Sequence, residues 1–108
     1  MNYNGRTVHR TAHPHIVKID GVCGGRAIIE GTRIAVWHIV NYYYKVTMAV
    51  EEILLNWDYL SPAQVFDALA YYHDNREEID RDRQENSYEY WREHYATNAA
   101  ERTEVTSE

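Results

Sequence analysis

The stretch GGRAIIEGTRIAV, Gly24 to Val36, decides how the rest of this chain is read. Glycines bracket the β-branched pair Ile28 and Ile29, and a residue without a Cβ takes positive φ at no steric cost. The pattern predicts a short strand between two turns. Upstream, Ile16 to Ile19 is rich in β-formers and runs into Asp20-Gly21, a turn signal. The two strands are expected to pair as an N-terminal β-hairpin.

Three helices are expected next. The first spans about Val36 to Tyr44, with Val36, Ile39, Val40 and Tyr43 on one buried stripe. The second takes Thr47 as its N-cap and turns Val50, Ile53 and Leu54 inward. Ser61-Pro62 starts the third, since Ser61 caps and Pro62 at the first turn loses no hydrogen bond. Val65, Leu69 and Tyr72 repeat on its inner side, Phe66 and Ala70 widen that stripe, and Gln64, Asp67 and Tyr71 point out. No breaker precedes Asn75, so this helix is open to continuing through the charged run Arg76 to Glu85. Trp57 and Leu60 are placed in the corner between the second and third helices.

Beyond Asn86, Tyr88, Trp91 and Tyr95 fall at i, i+3, i+7 of an amphipathic segment from Ser87 to Ala96. An isolated helix that short is marginal in water, so it must dock on its own core, a second copy or another protein. The expected organisation is therefore a flexible arm (1–14), a hairpin plus helix-turn-helix domain (15–76) and a C-terminal helical extension with a frayed tail (77–108). The fold class is mainly α.

From about Ile16 to Tyr72 the chain resembles the domain of unknown function 433 family, whose pattern runs roughly GG-x-P-x-I-x-GTRIPV and then helices. Gly24, Gly25, Ile29, Gly31, Thr32, Arg33, Ile34 and Val36 carry the likeness, followed by Glu52, Ile53, Leu54, Leu60, Ala68, Leu69, Ala70 and Tyr71. The chain departs from that pattern at Ala27, Ala35 and Asp58, where proline is usual, and at Lys45-Val46, where a glycine often ends the first helix. The resemblance implies a three-helix, homeodomain-like helix-turn-helix core. It also implies an antitoxin encoded beside a PIN-like nuclease toxin, and the reading built on it is a homodimer that binds operator DNA.

Composition bounds these readings. A chain of 108 residues with 44% hydrophobic and 26% charged residues fits one soluble globular domain. The single cysteine, the lack of an apolar signal-peptide core and the lack of a membrane-length apolar run point to a cytoplasmic protein with no membrane contact. Net charge is −6, yet residues 1 to 45 carry six basic groups against two acidic ones, and residues 46 to 108 carry five against fifteen. That asymmetry suggests one half facing an anion and the other a cationic partner.

Four chemistries compete for the polar and aromatic residues. For DNA, the third helix lacks a good reading face, so Arg26, Arg33 and Lys45 are assigned phosphate contacts in a dimer and Gln64 limited base readout. Arg33 has a plainer reading as an ion pair with Glu30 or an acidic helix residue that holds the hairpin to the core. For protein docking, Tyr88, Glu89, Trp91 and Tyr95 are assigned to the toxin, and Tyr42 and Tyr44 to a dimer contact. A non-DNA interaction scaffold on a degenerate helix-turn-helix is the alternative. Neither His9, His13, His15 and Cys23 as metal ligands nor Cys23 as a nucleophile has supporting spacing, so no metal, cofactor or enzymatic role is expected.

Overall fold

The computed structural model describes residues 3–86. Strands β1 (Val8–Arg10), β2 (Ile16–Ile19) and β3 (Ile28–Ile29) form an antiparallel sheet in that order. The β2–β3 hairpin pairs Ile16 with Ile29 and Val17 with Ile28, as the β-branched runs predict. Strand β1 lies inside the segment expected to be an arm and pairs Val8, His9 and Arg10 with Ile19, Lys18 and Val17. All three of its side chains are exposed. An edge strand held by backbone bonds needs no apolar pattern, which is why the sequence hides it.

Strand β2 is buried on both sides. Ile16 joins Ile29 in the main core under the helices, while Val17 and Ile19 meet Val22, Ile28 and Ala35 in a second cluster against which Tyr3 packs. Tyr3 also closes the turn after β3. Gly31, at φ 84°, donates its N–H to the Tyr3 hydroxyl at 2.6 Å, and that hydroxyl donates to the Thr32 carbonyl at 3.1 Å. The buried Thr32 hydroxyl donates to Ile29 O and accepts from Ile34 N. Of Gly31-Thr32-Arg33-Ile34, three residues thus build the turn and only Arg33 is exposed.

Helix α1 (Val36–Val40) buries Val36, Ile39 and Val40 as expected, then widens into a π-helical turn over Asn41–Lys45. The wider turn shifts the side-chain phase, so Tyr43 is half-buried and Tyr44 exposed. The segment ends at Thr47, which adopts φ 62°. Thr47 is therefore not the cap of α2 (Val50–Asn56). Ala49 takes that position, and Glu52 reaches back to accept the Ala49 N–H at 2.9 Å. Val50 and Ile53 are buried and Leu54 half-buried.

Helix α3 (Pro62–Asp74) begins as predicted, with the Ser61 hydroxyl accepting from Gln64 N and the Gln64 side chain accepting from Ser61 N. It stops at Asn75, whose φ −139° and ψ 50° break the helix before α4, residues 76–86. Leu60 is buried in the core, and Trp57 packs against it from the α2–α3 connection. Ile79 of α4 is fully buried in the main core, so the stretch read as an extension beyond residue 76 begins as part of the domain. No helix among the described residues is long and apolar enough to cross a membrane. The expected helix from Ser87 to Ala96, with Tyr88, Glu89, Trp91 and Tyr95, lies outside the described residues.

Candidate interaction surface

The asymmetric charge distribution is used largely within the molecule. Helix α4 brings acidic side chains over the sheet: Glu78 lies 3.1 Å from Lys18 Nζ, and Asp82 and Glu85 each lie 3.5 Å from the Arg26 guanidinium. At the other edge Arg10 forms a two-pronged pair with Glu30 at 2.7 and 3.1 Å. Arg83 bridges Asp80, the Tyr72 hydroxyl and Asn41. Arg26, expected at a phosphate, is thus paired with α4. Burial pushes the Asp82 carboxyl above the usual range, Arg26 draws it back down, and Glu78 and Glu85 push it up again.

The remaining expected phosphate ligands are spread out. Lys45 is exposed at the end of the π-helical turn, beside Asn41, Asp80, Arg83 and Gln84 around an open hollow of about 370 Å³. Arg33 is exposed, and no carboxylate among the described residues pairs with it, because Glu30 is taken by Arg10. Gln64 uses its amide oxygen in the α3 cap.

The outer face of α3 differs from the one the helical wheel predicts. Asp67 is turned to the N-terminal segment, and Tyr71 is 4% exposed with both Glu78 oxygens 3.0 Å from its hydroxyl. Burial, then the charge of Glu78, pushes the Tyr71 phenol well above its usual value. What faces out is Pro62, Ala63, Phe66 and Ala70, with Phe66 57% exposed, followed at the end of the helix by His73 and Asp74. Phe66 and Ala70 therefore do not widen the buried stripe. The N-terminal segment and α4 cover the flank that the sequence assigned to solvent, and the exposed arc moves round to Phe66. Val65 and Leu69 remain inside as expected, joined by Ala68.

A partly buried aromatic group lies where α1 meets α2, joining Tyr42, expected in a dimer contact, and Trp57, expected in the next corner, to Trp37 and His38, which the sequence reasoning did not single out. The Trp37 and His38 rings stack at 4.0 Å, and Tyr42 meets Trp57 edge-on at 5.4 Å. Burial lowers the His38 pKa, so its ring is neutral near pH 7. Tyr44, expected in a dimer contact, has its hydroxyl 2.6 Å from His73 Nε2. Cys23 donates its thiol to Arg33 O at 3.2 Å, and burial pushes its pKa up, with Arg33 and Arg26 pulling the other way. Among the described residues no base touches its sulfur, so the features of an activated thiolate are missing there. His9 pairs with Asp20 and His13 with Asp67 and Asp74, and no group of metal-ligating side chains forms among the described residues.

The family description "Protein of unknown function (DUF433)" matches residues 16–72. A DUF433 member protein from Anabaena variabilis ATCC 29413, known from a crystal structure at 2.00 Å resolution, is similar in sequence and fold. Identity is 38% and the TM-score 0.62, with 65% of this chain and 68% of that chain covered. No curated protein matches. The family span runs from β2 through Tyr72 of α3, so the Gly31–Ile34 turn lies within it and the acidic α4 beyond it.

Proposed function

This chain belongs to the DUF433 family, and from that premise we propose that it is a cytoplasmic antitoxin-type protein that restrains a PIN-like nuclease by binding it. In this reading α1 to α3 are a homeodomain-like helix-turn-helix kept as a protein scaffold. The observation that carries the preference for protein over DNA is the chemistry of the N-terminal part of α3, whose exposed side chains from Pro62 to Ala70 are Pro62, Ala63, Phe66 and Ala70. None of them offers a hydrogen bond to a base edge. Lys18 and Arg26 support the same preference, because each already has a carboxylate of α4. Tyr88, Glu89, Trp91 and Tyr95 are the assigned docking residues for the nuclease.

A pull-down with the product of the neighbouring gene tests the proposal, comparing the full chain with one stopped after Asn86. Capture by the full chain alone supports it. Equal capture by both removes the docking role of the C-terminal aromatics, and no capture by either overturns the antitoxin reading.

One observation favours operator binding as a second reading. Arg33 is exposed and lacks a carboxylate partner among the described residues, and Lys45 is exposed as well. Two copies would line up both pairs along a phosphate backbone, with the Gln64 amide nitrogen touching a base. Binding to the gene's own upstream DNA should then weaken with salt, at a log-log slope near −0.9 per phosphate contact. Arg33→Ala should make that slope shallower, and no shift at low salt leaves the scaffold.

A further inference from the structure

We propose that residues 3–14 are a strap that opens as a unit when the His13 ring gives up a proton, while the helices beneath it stay folded. From Asn4 to Arg10 every side chain is exposed, and no residue from Tyr3 to Pro14 is buried. Strand β1 is held by its backbone pairing with β2 and by two exposed ion pairs, Arg10 with Glu30 and His9 with Asp20. Exposed pairs contribute little. A segment that buries so little opens at lower cost than the core it covers.

Its grip lies at its two ends. At one end Tyr3 packs against the second cluster, and its hydroxyl bonds the Gly31–Thr32 turn. At the other, the His13 ring sits between Asp67 and Asp74 of α3, and imidazole is the side chain that titrates near neutral pH. The imidazolium donates to both carboxylates, whereas the neutral ring has one N–H and turns a lone pair to the other. The ionisable groups facing the ring are Asp67, Asp74 and Tyr71, all of α3, and the Tyr71 phenol is held by Glu78. No Lys or Arg among the described residues pairs with either aspartate, so nothing replaces the lost proton. Opening lifts β1 away and bares the backbone edge of β2 from Val17 to Ile19, the kind of edge that accepts another strand. The device does not depend on the antitoxin reading.

Amide hydrogen exchange of the full chain tests the gate, read peptide by peptide at several pH values and divided by the rates of unstructured peptides of the same sequence. Peptides covering Val8–Arg10 and Asp20, whose N–H is bonded to Thr7 O, should be less protected than α3 at every pH. Their protection should fall as pH rises above 6.5, by up to about tenfold per unit, because opening then releases one proton. His13→Gln should leave the strap weakly protected with no such pH dependence, and His9→Gln should keep the dependence. Protection of the strap equal to that of α3 means that it opens only with the whole fold, which overturns the proposal. Strap protection that does not vary with pH overturns it too, as does a pH dependence that survives His13→Gln. Should that variant fail to fold, Asp74→Asn decides: an amide serves the ring in either protonation state, so the pH dependence should shrink, and an undiminished one overturns the proposal.

Discussion

Nδ1 of His13 lies 3.0 Å from Oδ1 of Asp67, joining the N-terminal segment to the middle of α3. Nε2 of the same ring lies 2.8 Å from Oδ2 of Asp74, and the His15 N–H donates to the other Asp67 oxygen at 2.8 Å. A neutral imidazole has one N–H and serves one carboxylate, whereas the imidazolium serves both. Tyr71 meets the ring edge-on. Only 14% of the His13 side chain is exposed. Burial lowers its pKa, but the hydrogen bonds and charges of Asp67 and Asp74 together outweigh burial and leave it above the ordinary 6.5.

This clamp makes stability depend on pH. A histidine whose folded pKa is raised gives its full stabilisation below the unfolded value of 6.5 and loses it as pH climbs through the folded one. His13→Gln should cost about 1–3 kcal/mol in mild acid, the range for breaking buried hydrogen bonds to charged partners. Urea unfolding across neutral pH checks this: the natural chain should weaken toward alkali and His13→Gln should not, and parallel profiles would exclude the clamp.

Arg26→Ala should destabilise the chain by about 1–3 kcal/mol near neutrality, because it leaves the largely buried Asp82 carboxylate without its guanidinium. Asp82 has a raised folded pKa, so its cost is absent below the ordinary 3.8, grows as pH rises from there toward the folded value and is complete above it. The penalty of the variant should therefore shrink on acidification. A penalty constant with pH in thermal unfolding would mean that packing of the Arg26 stem matters and its charge does not.

Thr47→Gly should stabilise the fold by about 1 kcal/mol, since a β-branched residue at φ 62° bears a left-handed penalty that glycine lacks. The thermal midpoint reports the gain. An unchanged or lowered midpoint would show that the greater freedom of glycine in the unfolded chain offsets the relief.

The hairpin, the Ser61-Pro62 helix start and the stripe of Val65 and Leu69 were legible because each depends on residues close in sequence. The strand at Val8–Arg10 was not, since its bonding is backbone to backbone and its side chains face solvent. Nor was the outward face of α3. Asp67 and Tyr71 look like surface residues on a wheel until His13, far away in sequence, and Glu78, brought round by the break at Asn75, cover them. The charge split was visible as a sum, but its internal use depends on α4 folding back over Lys18 and Arg26. Of the expected site residues, Arg33 is the one whose side chain the turn and core leave exposed without a carboxylate partner among the described residues.

Co-expression with the neighbouring gene product tests the central claim most directly, reading bacterial growth together with the mass of the purified complex. Restored growth and a complex of fixed stoichiometry containing both chains are expected. Continued toxicity with no complex, alongside salt-sensitive binding of the chain alone to its upstream DNA, would contradict it.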